Sequence, residues 1–421
     1  MPQETAAAFA ANYSTVGSVG AQPAPSLGLA FLGRRVFEGE GLARVWSELI
    51  GRLAADPADA GAMLDLSTLL LMRGDRDKGL ELQAMALAAR RCYRTVHGSG
   101  RGLRLLAFAA AGDLMTNTPL DFLLEGSDVE LTTWYVDAAP SPEEVPEHDL
   151  AFLAISQSDD GSAALARLAG AFEAWPRPVV NGRPELIAAL SRDGVADRFA
   201  GHPRVLAPAT RRVGRAALDA VARGEAPLAG LHPSLAWPVI VRPVGSHAGR
   251  GLEKLDAAGD LSAYLAEQPA QAFFVAAFLD YSGADGLYRK LRVVLVNGQP
   301  YIAHMAVSAR WMVHYLNADM GEVSHRLEEA RMMAGFDEGF ALRHREAFAA
   351  LTEAFGLDYF GIDCAETADG RLVVFEADVA MIVHAMDCPE LYPYKKPAMA
   401  KLFAGFVAGL GACVGRRRLA A

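Results

Sequence analysis

Apolar and polar residues alternate with the period of a β-strand in GIDCAETADGRLVVFEAD, residues 361–378, where two short runs flank an Asp369-Gly370 turn. Successive strand side chains point to opposite faces, so Glu376 and Asp378 share a face, and the hairpin returns Asp363 alongside them. Upstream, YRKLRVVLVNGQPYIAHMAV reads as a second antiparallel hairpin turning at Asn297-Gly298. WPVIVRPVGSHAGRGL opens as an apolar strand, ends it at Arg242, and runs into a loop with Gly245, Ser246, Gly249 and Gly251. A short helix, LSAYLAE, and a strand, FFVAAFL, follow; a long helical region over 322–354 precedes the carboxylate hairpin, and a helix near 398–410 closes the chain.

The N-terminal half carries a different pattern. Apolar residues at helical spacing predict one helix over about 58–72, with Met63, Leu66 and Leu70 on a face, and another over about 77–92, with Leu82, Met85 and Ala88 on a face. From Leu103 onward LRLLAFAA, VELTTWYV, DLAFLAI and RPVVNG alternate with helical stretches such as 161–175, the signature of a mostly parallel sheet. Residues before Leu29 show neither period, and ordered structure is expected from Val45 onward. The predicted division is a poorly ordered leader over 1–44, a helical hairpin over 45–98, a parallel α/β domain over 100–206, a larger α+β domain over 207–415 with a hinge near 274–280, and a basic tail over 416–421. The Asp56-Pro57 start and the Gly74-Asp75 turn resemble a tetratricopeptide unit. One unit has no neighbours to bury its faces, so a hairpin docked on the next domain is expected.

Composition narrows the function. A net charge of -10 and a pI near 5.5 exclude nucleic-acid binding as the main task, since phosphate backbones demand clustered Lys and Arg; the run Arg416–Arg418 is too short to reverse this. Cys92, Cys364, Cys388 and Cys413 lack paired spacing and give neither a disulfide nor a zinc framework. No apolar run approaching the ~18 residues of a span and no signal peptide is read, so a cytoplasmic chain without membrane partners is expected. Three converging carboxylates repel one another unless a cation sits between them, and oxygen donors of this kind suit Mg2+. A glycine-rich loop lets backbone N–H groups approach phosphate, and Arg242 at the strand end neutralises it. Together these read as the two halves of a nucleotide site.

The order of glycine loop, hinge strand, Arg-bearing hairpin, long helix and Asp with Glu-x-Asp resembles the ATP-grasp superfamily, over the branch of glutathione synthetases, ribosomal-protein glutamate ligases and D-alanine ligases. The resemblance implies ATP and Mg2+ clasped between two α+β subdomains behind a parallel α/β domain. It implies a ligase that makes an acyl phosphate for attack by an amine or thiol, with small-molecule or peptide carboxylate and amine substrates. By the same resemblance Asp363 and Glu376 are metal ligands, and Asp378 stands where the family usually has Asn. Arg242 replaces a phosphate-binding Lys, Gly245 to Gly251 form a lid, and Arg198 falls near the position of a second nucleotide-contacting Lys. The hinge strand, with Phe278, offers backbone groups to adenine; the usual Glu is Ala277, which leaves Asp280 or Tyr281 for the ribose. Arg292 and Arg310 are the cations expected to hold the transferring phosphoryl group. His304, Trp311, His314 and Tyr315 are expected to face the acceptor, with packing of Trp311 and Tyr315 onto the core as the alternative, and His384 either touches substrate or caps a helix. Two other functions fit the same motifs: a small-molecule kinase, and a non-catalytic nucleotide-sensing protein that pairs with a partner or a second copy through the helical hairpin.

Overall fold

Helices that hide an apolar face must find another face to cover, and the N-terminal ones do so against each other and the first sheet. The computed structural model describes residues 22–137, 140–246 and 249–420. Helices Leu29–Glu38 and Leu42–Ala55 occupy much of the stretch expected as a loose leader, whose residues 1–21 lie outside the described ones. Leu32, Val45 and Leu49 bury against Ala62, Leu66 and Leu69 of helix Ala60–Met72, each from the apolar face of an amphipathic helix. Helix Arg76–Ala89 completes the predicted hairpin, and Gln83 fixes it to the next domain by donating to the Gly112 carbonyl at 2.9 Å and accepting from its N–H at 2.8 Å. The hairpin is therefore part of a four-helix unit docked on the sheet.

The first sheet is built from β1 (Ala24–Pro25), β2 (Cys92–Val96), β3 (Arg104–Ala109), β4 (Glu130–Tyr135), β5 (Leu150–Leu153) and β6 (Val179–Val180), ordered β1-β2-β4-β3-β5-β6. The run β4-β3-β5-β6 is parallel, as the alternation predicts, while β2 joins antiparallel. Cys92, expected at a helix end, instead opens β2, because Tyr93 buries its ring and pairs with Thr133.

The remaining chain makes two lobes. β7 (Val205–Leu206) crosses to the last sheet, and β8 (Thr210–Gly214), β9 (Val239–Pro243), β10 (Glu253–Leu255) and β11 (Ala272–Ala277) form an antiparallel sheet ordered β10-β9-β11-β8. Its core of Val213, Val239, Val241, Phe273 and Val275 is its own. β12 (Tyr288–Val296), β13 (Gln299–Ser308), β14 (Tyr359–Glu366) and β15 (Leu372–Asp378) join β7 in the order β13-β12-β14-β15-β7. The predicted 322–354 helix is split into Val323–Ala334 and Arg345–Phe355 by a π-helical turn at Asp337–Ala341.

The closing helix runs from Lys395 to Ala420, longer than predicted and continuous through most of the expected basic tail. Contrary to the sequence expectation, Lys395–Gly415 is long and apolar enough by length and composition to cross a membrane. In the fold Met399, Leu402, Phe403, Phe406 and Leu410 bury against Val294, Val296 and Tyr359 of the last sheet and Phe152 of the first, which accounts for that apolar face.

Candidate active site

Strand alternation aims the cleft side chains. In the four-stranded lobe Val239, Val241, Phe273 and Val275 point into the core, so Ile240, Arg242, Phe274 and Ala276 point out and line a cavity of about 460 Å³. The facing lobe contributes Lys290, Arg292, His304, Asp363, Glu376 and Asp378. Four of these sit in one row across the sheet: His304 pairs with Arg292, Arg292 with Asp363, and Asp363 with Glu376. Register shifts fall beside this row, after Arg292 and after Asp363, where bulges re-aim side chains next to a site.

The two carboxylates of the row stand side by side, and each is held by cations. Arg292 donates to both oxygens of Asp363, at 2.8 and 3.2 Å, and to the Ile382 carbonyl at 2.9 Å, while Lys290 reaches Asp363 at 2.9 Å. Burial pushes the Asp363 carboxyl up, but Arg292 and Lys290 outweigh it and hold the group well below the usual carboxylate range. Glu376 accepts from Arg192 at 2.5 Å; burial raises its pKa, and Arg192 more than offsets this, with Arg242 also lowering it. Asp378 accepts only from its own turn, the Ala380 N–H at 3.0 Å, among the hydrogen bonds described, and burial together with Glu376 pushes its pKa up to about 7. Burial holds His304 well below the ordinary histidine value, helped by Arg292 and Lys395, so the ring is neutral at pH 7.

Arg242 stands across the cleft. Its guanidinium donates to the Ser246 carbonyl and, at 3.2 Å, to the Ser246 hydroxyl, which ties it to the glycine loop. Desolvation, then the like charge of Arg192, pushes its pKa down to about 10. Gly251 lies at φ 63°, and a Cβ there would stand 2.9 Å from Pro243, so the loop's return needs glycine. Gly249 lines the cavity; Gly245 and Ser246 lie behind Arg242, and the two residues between Ser246 and Gly249 lie outside the described ones.

The hinge is more committed than expected. β11 is a central strand paired on both edges, and the N–H groups of Ala277 and Phe278 already donate to Ala209 and Pro238 carbonyls, at 2.9 and 3.3 Å, so these two amides are spent. Phe278 lines the cavity with its ring edge-to-face on Trp311, centroids 5.9 Å apart, and Tyr281 donates to the Trp311 carbonyl at 3.1 Å. Trp311, His314 and Tyr315 also line the cavity, and the His304 ring packs tilted against that of Tyr315, centroids 4.6 Å apart.

Several expected residues fall elsewhere. Arg310 is exposed, outside the cavity wall, because β13 ends at Ser308 and Asp319 captures the Ser308 hydroxyl and the Ala309 N–H, turning the chain away. Arg198 is exposed and donates to the Ala354 carbonyl; on its helix, Arg192–Arg198, the residues that line the cavity are Arg192, at the opposite end, and Val195. Asp280 is exposed, accepts from the Ser282 N–H at 2.9 Å and does not line the cavity. The trio Asp363, Glu376 and Asp378 is not a ready metal cage: among the described residues no group of three or more His, Cys, Asp or Glu stands close enough to hold an ion, because cations already occupy the first two.

Sequence reasoning missed Lys290, Arg192, Asp387 and Lys395, all of which line the cavity. Lys290 was within reach, since it lies two residues from Arg292 on the same strand face. His384 lines the cavity as well, and its ring lies near those of Phe122 and Phe37, at 5.9 and 6.2 Å.

Among solved structures the chain is similar to a RimK domain ATP-grasp protein from Sphaerobacter thermophilus, at 16% identity over 72% of this chain and 99% of that one, with a TM-score of 0.40. It is similar also to D-alanine–D-alanine ligase from Bacillus anthracis complexed with ATP, at 11% identity over 76% and 99%, TM-score 0.43. A third is the ATP-grasp ligase PsnB complexed with precursor peptide PsnA2 and AMPPNP, at 14% identity over 72% and 97%, TM-score 0.38. No family model and no curated protein matches the chain.

Proposed function

We propose that this protein is an ATP-dependent ligase of the ATP-grasp kind, which activates a carboxylate as an acyl phosphate and lets an amine displace the phosphate. The observation that carries the reading is the charged row His304–Arg292–Asp363–Glu376 facing Arg242 and the glycine loop across one cavity. Burial, then the like charge of Arg192, lowers the proton affinity of Arg242, and both guanidinium groups act on Glu376 across the cleft, an arrangement that a polyanion relieves. Ile240, Phe274, Ala276, Phe278 and Leu279 offer an apolar shelf of a size and flatness suited to a purine.

In this reading the acid's oxygen attacks the γ-phosphorus, ADP leaves, the amine attacks the acyl carbon, and phosphate leaves. Arg292 and Lys290, fixed by Asp363 before any ligand arrives, stabilise the charge on the transferring phosphoryl group at no reorganisation cost. Neutral His304 is a hydrogen-bonding group beside them. Mg2+ fits as a companion of the nucleotide rather than as a caged ion: its habit is one or two carboxylates plus phosphate oxygens, and Glu376 and Asp378 are half-buried carboxylates of which one is short of a cation. When bound there it neutralises polyphosphate charge. The test is incubation with ATP, Mg2+ and mixtures of carboxylic acids in the presence of hydroxylamine. Hydroxamate with equimolar ADP is expected; a stable phosphorylated product without phosphate release selects the kinase reading instead, and nucleotide binding with no turnover on any acid selects the sensing one.

A further inference from the structure

The row of charges ends at His304, and beyond it the same cavity continues into a corner that the phosphate chemistry does not use. His304 packs tilted against Tyr315, and the Tyr315 hydroxyl accepts from the Lys395 ammonium, whose Nζ also lies 3.9 Å over the Tyr315 ring and 4.8 Å over that of Tyr392. Lys395 is the first residue of the closing helix, the end where a macrodipole repels an ammonium. Carboxylates hold it there: Glu329 at 3.5 Å and Asp387 at 3.2 Å. Glu329 is wholly buried and already satisfied, accepting from the Met305 N–H at 3.0 Å, the Tyr394 hydroxyl at 2.7 Å and the Tyr315 hydroxyl at 3.3 Å.

Asp387 is different. It lines the cavity, its side chain retains 19% of its exposure, and Lys395 is its one described ionic partner, through one of its two oxygens. Two carboxylates thus share a single ammonium at a poorly solvated wall, which leaves negative charge unanswered. The neighbouring cations are committed elsewhere: Arg292 to Asp363 and the Ile382 carbonyl, Arg326 to the Met320 and Gly321 carbonyls. His384 accepts from the Met386 N–H at 3.2 Å through Nδ1, and burial, partly countered by Asp387, keeps it neutral.

We propose that this corner is the subsite for the amine substrate, with the ammonium group received by Asp387 and the carboxylate held in place by Lys395. The proposal rests on the ligase reading and narrows it: a negatively charged corner gathers a protonated amine in preference to a thiol or a hydroxyl compound, and the nitrogen gives a proton to the Asp387 carboxylate so that its lone pair can attack the acyl carbon as phosphate leaves. Glu329, Tyr315 and Tyr394 are positioning residues that act through Lys395.

The test uses the full chain with AMPPNP and Mg2+, and saturation-transfer NMR against ethanolamine, putrescine, L-alanine and L-lysine, with ethylene glycol and 1,4-butanediol as uncharged counterparts. At least one ammonium compound is expected to bind while the diols do not, and Asp387→Asn is expected to weaken it about tenfold or more with AMPPNP affinity within about twofold. Asp387→Ser, judged by the same readouts, serves if the first variant melts early. No ammonium binding to the parent chain overturns the proposal, as do unchanged binding in both variants or an equal loss of AMPPNP, which marks Asp387 as structural. The hydroxylamine trap separates the two levels. Hydroxamate with Asp387-independent amine binding removes the subsite alone; Asp387-dependent amine binding with no hydroxamate from any acid removes the ligase reading and leaves the subsite.

Discussion

The two lobes that meet at the cleft treat charge in opposite ways. In the five-stranded lobe every cavity-facing carboxylate of the central row already grips a cation, with Asp363 between Arg292 and Lys290 and Glu376 against Arg192. The four-stranded lobe presents Ile240, Phe274 and Ala276, and one guanidinium, Arg242, tied only to its own loop and desolvated enough for its pKa to fall to about 10. One wall thus holds its central row of carboxylates in ion pairs, with Asp378 beside it bonded only to its own turn among the hydrogen bonds described, while the other carries a guanidinium on a glycine loop that acts on Glu376 across the cleft. The contrast divides the work under the proposed ligase reading: an anion would gain most from Arg242, and the opposite row would hold geometry as charge moves.

Breaking the ion-paired wall is expected to have the largest effect. Asp363→Ala strands Arg292 and Lys290 in a poorly solvated row and is expected to cost about 3–5 kcal/mol in chemical unfolding and at least about 100-fold in ADP release. Next comes the facing wall. Arg242→Ala is expected to weaken ATP binding at least about tenfold by calorimetry; Arg242→Lys keeps the charge but not the fork, so recovery of affinity marks simple neutralisation and continued loss marks forked recognition.

Asp378 sharpens the comparison through pH. Its folded pKa, about 7, lies above the ordinary carboxylate value, so the folded state binds the proton more tightly than the unfolded one and stability is lost as pH rises from about 4 through 7. Asp378→Asn removes that loss: without nucleotide its melting temperature is expected to exceed that of the parent by a margin that grows between pH 5 and 8, and a constant margin refutes the shift. Smaller still, Trp311→Ala removes one edge-to-face contact with Phe278 and is expected to change nucleotide affinity by about 1 kcal/mol. Arg310→Ala, outside the cavity wall, is expected to leave turnover within about twofold; a larger fall returns Arg310 to the phosphoryl group.

Much of the site was legible because strands make it. Period-two alternation with an Asp-Gly turn placed Asp363, Glu376 and Asp378 together, and the Asn297-Gly298 turn set the hairpin that carries Arg292 and His304. The same alternation gave the parallel strands of the first sheet. Arg310 and Asp280 were misjudged for one reason: each lies just past a strand end, where periodicity stops and a local turn decides direction. Arg198 and Arg192 share one short helix, and nothing in the spacing says which end meets Glu376. The helices at Leu29–Glu38 and Leu42–Ala55 carry an apolar face at helical spacing that was not read, and that face buries against Ala62, Leu66 and Leu69.

The sequence by itself determined the local alphabet of this protein: which residues share a strand face, where the hairpins turn, and that Asp363, Glu376 and Asp378 meet on one hairpin. Only the tertiary structure decided which cation answers which carboxylate, and that Lys395 and Asp387 stand in the same cavity as Arg242. The physical reason is range. Backbone periodicity acts over a few residues, whereas an ion pair such as Arg192 with Glu376 is made by packing elements far apart in the chain, and its energy exists only once both are out of water.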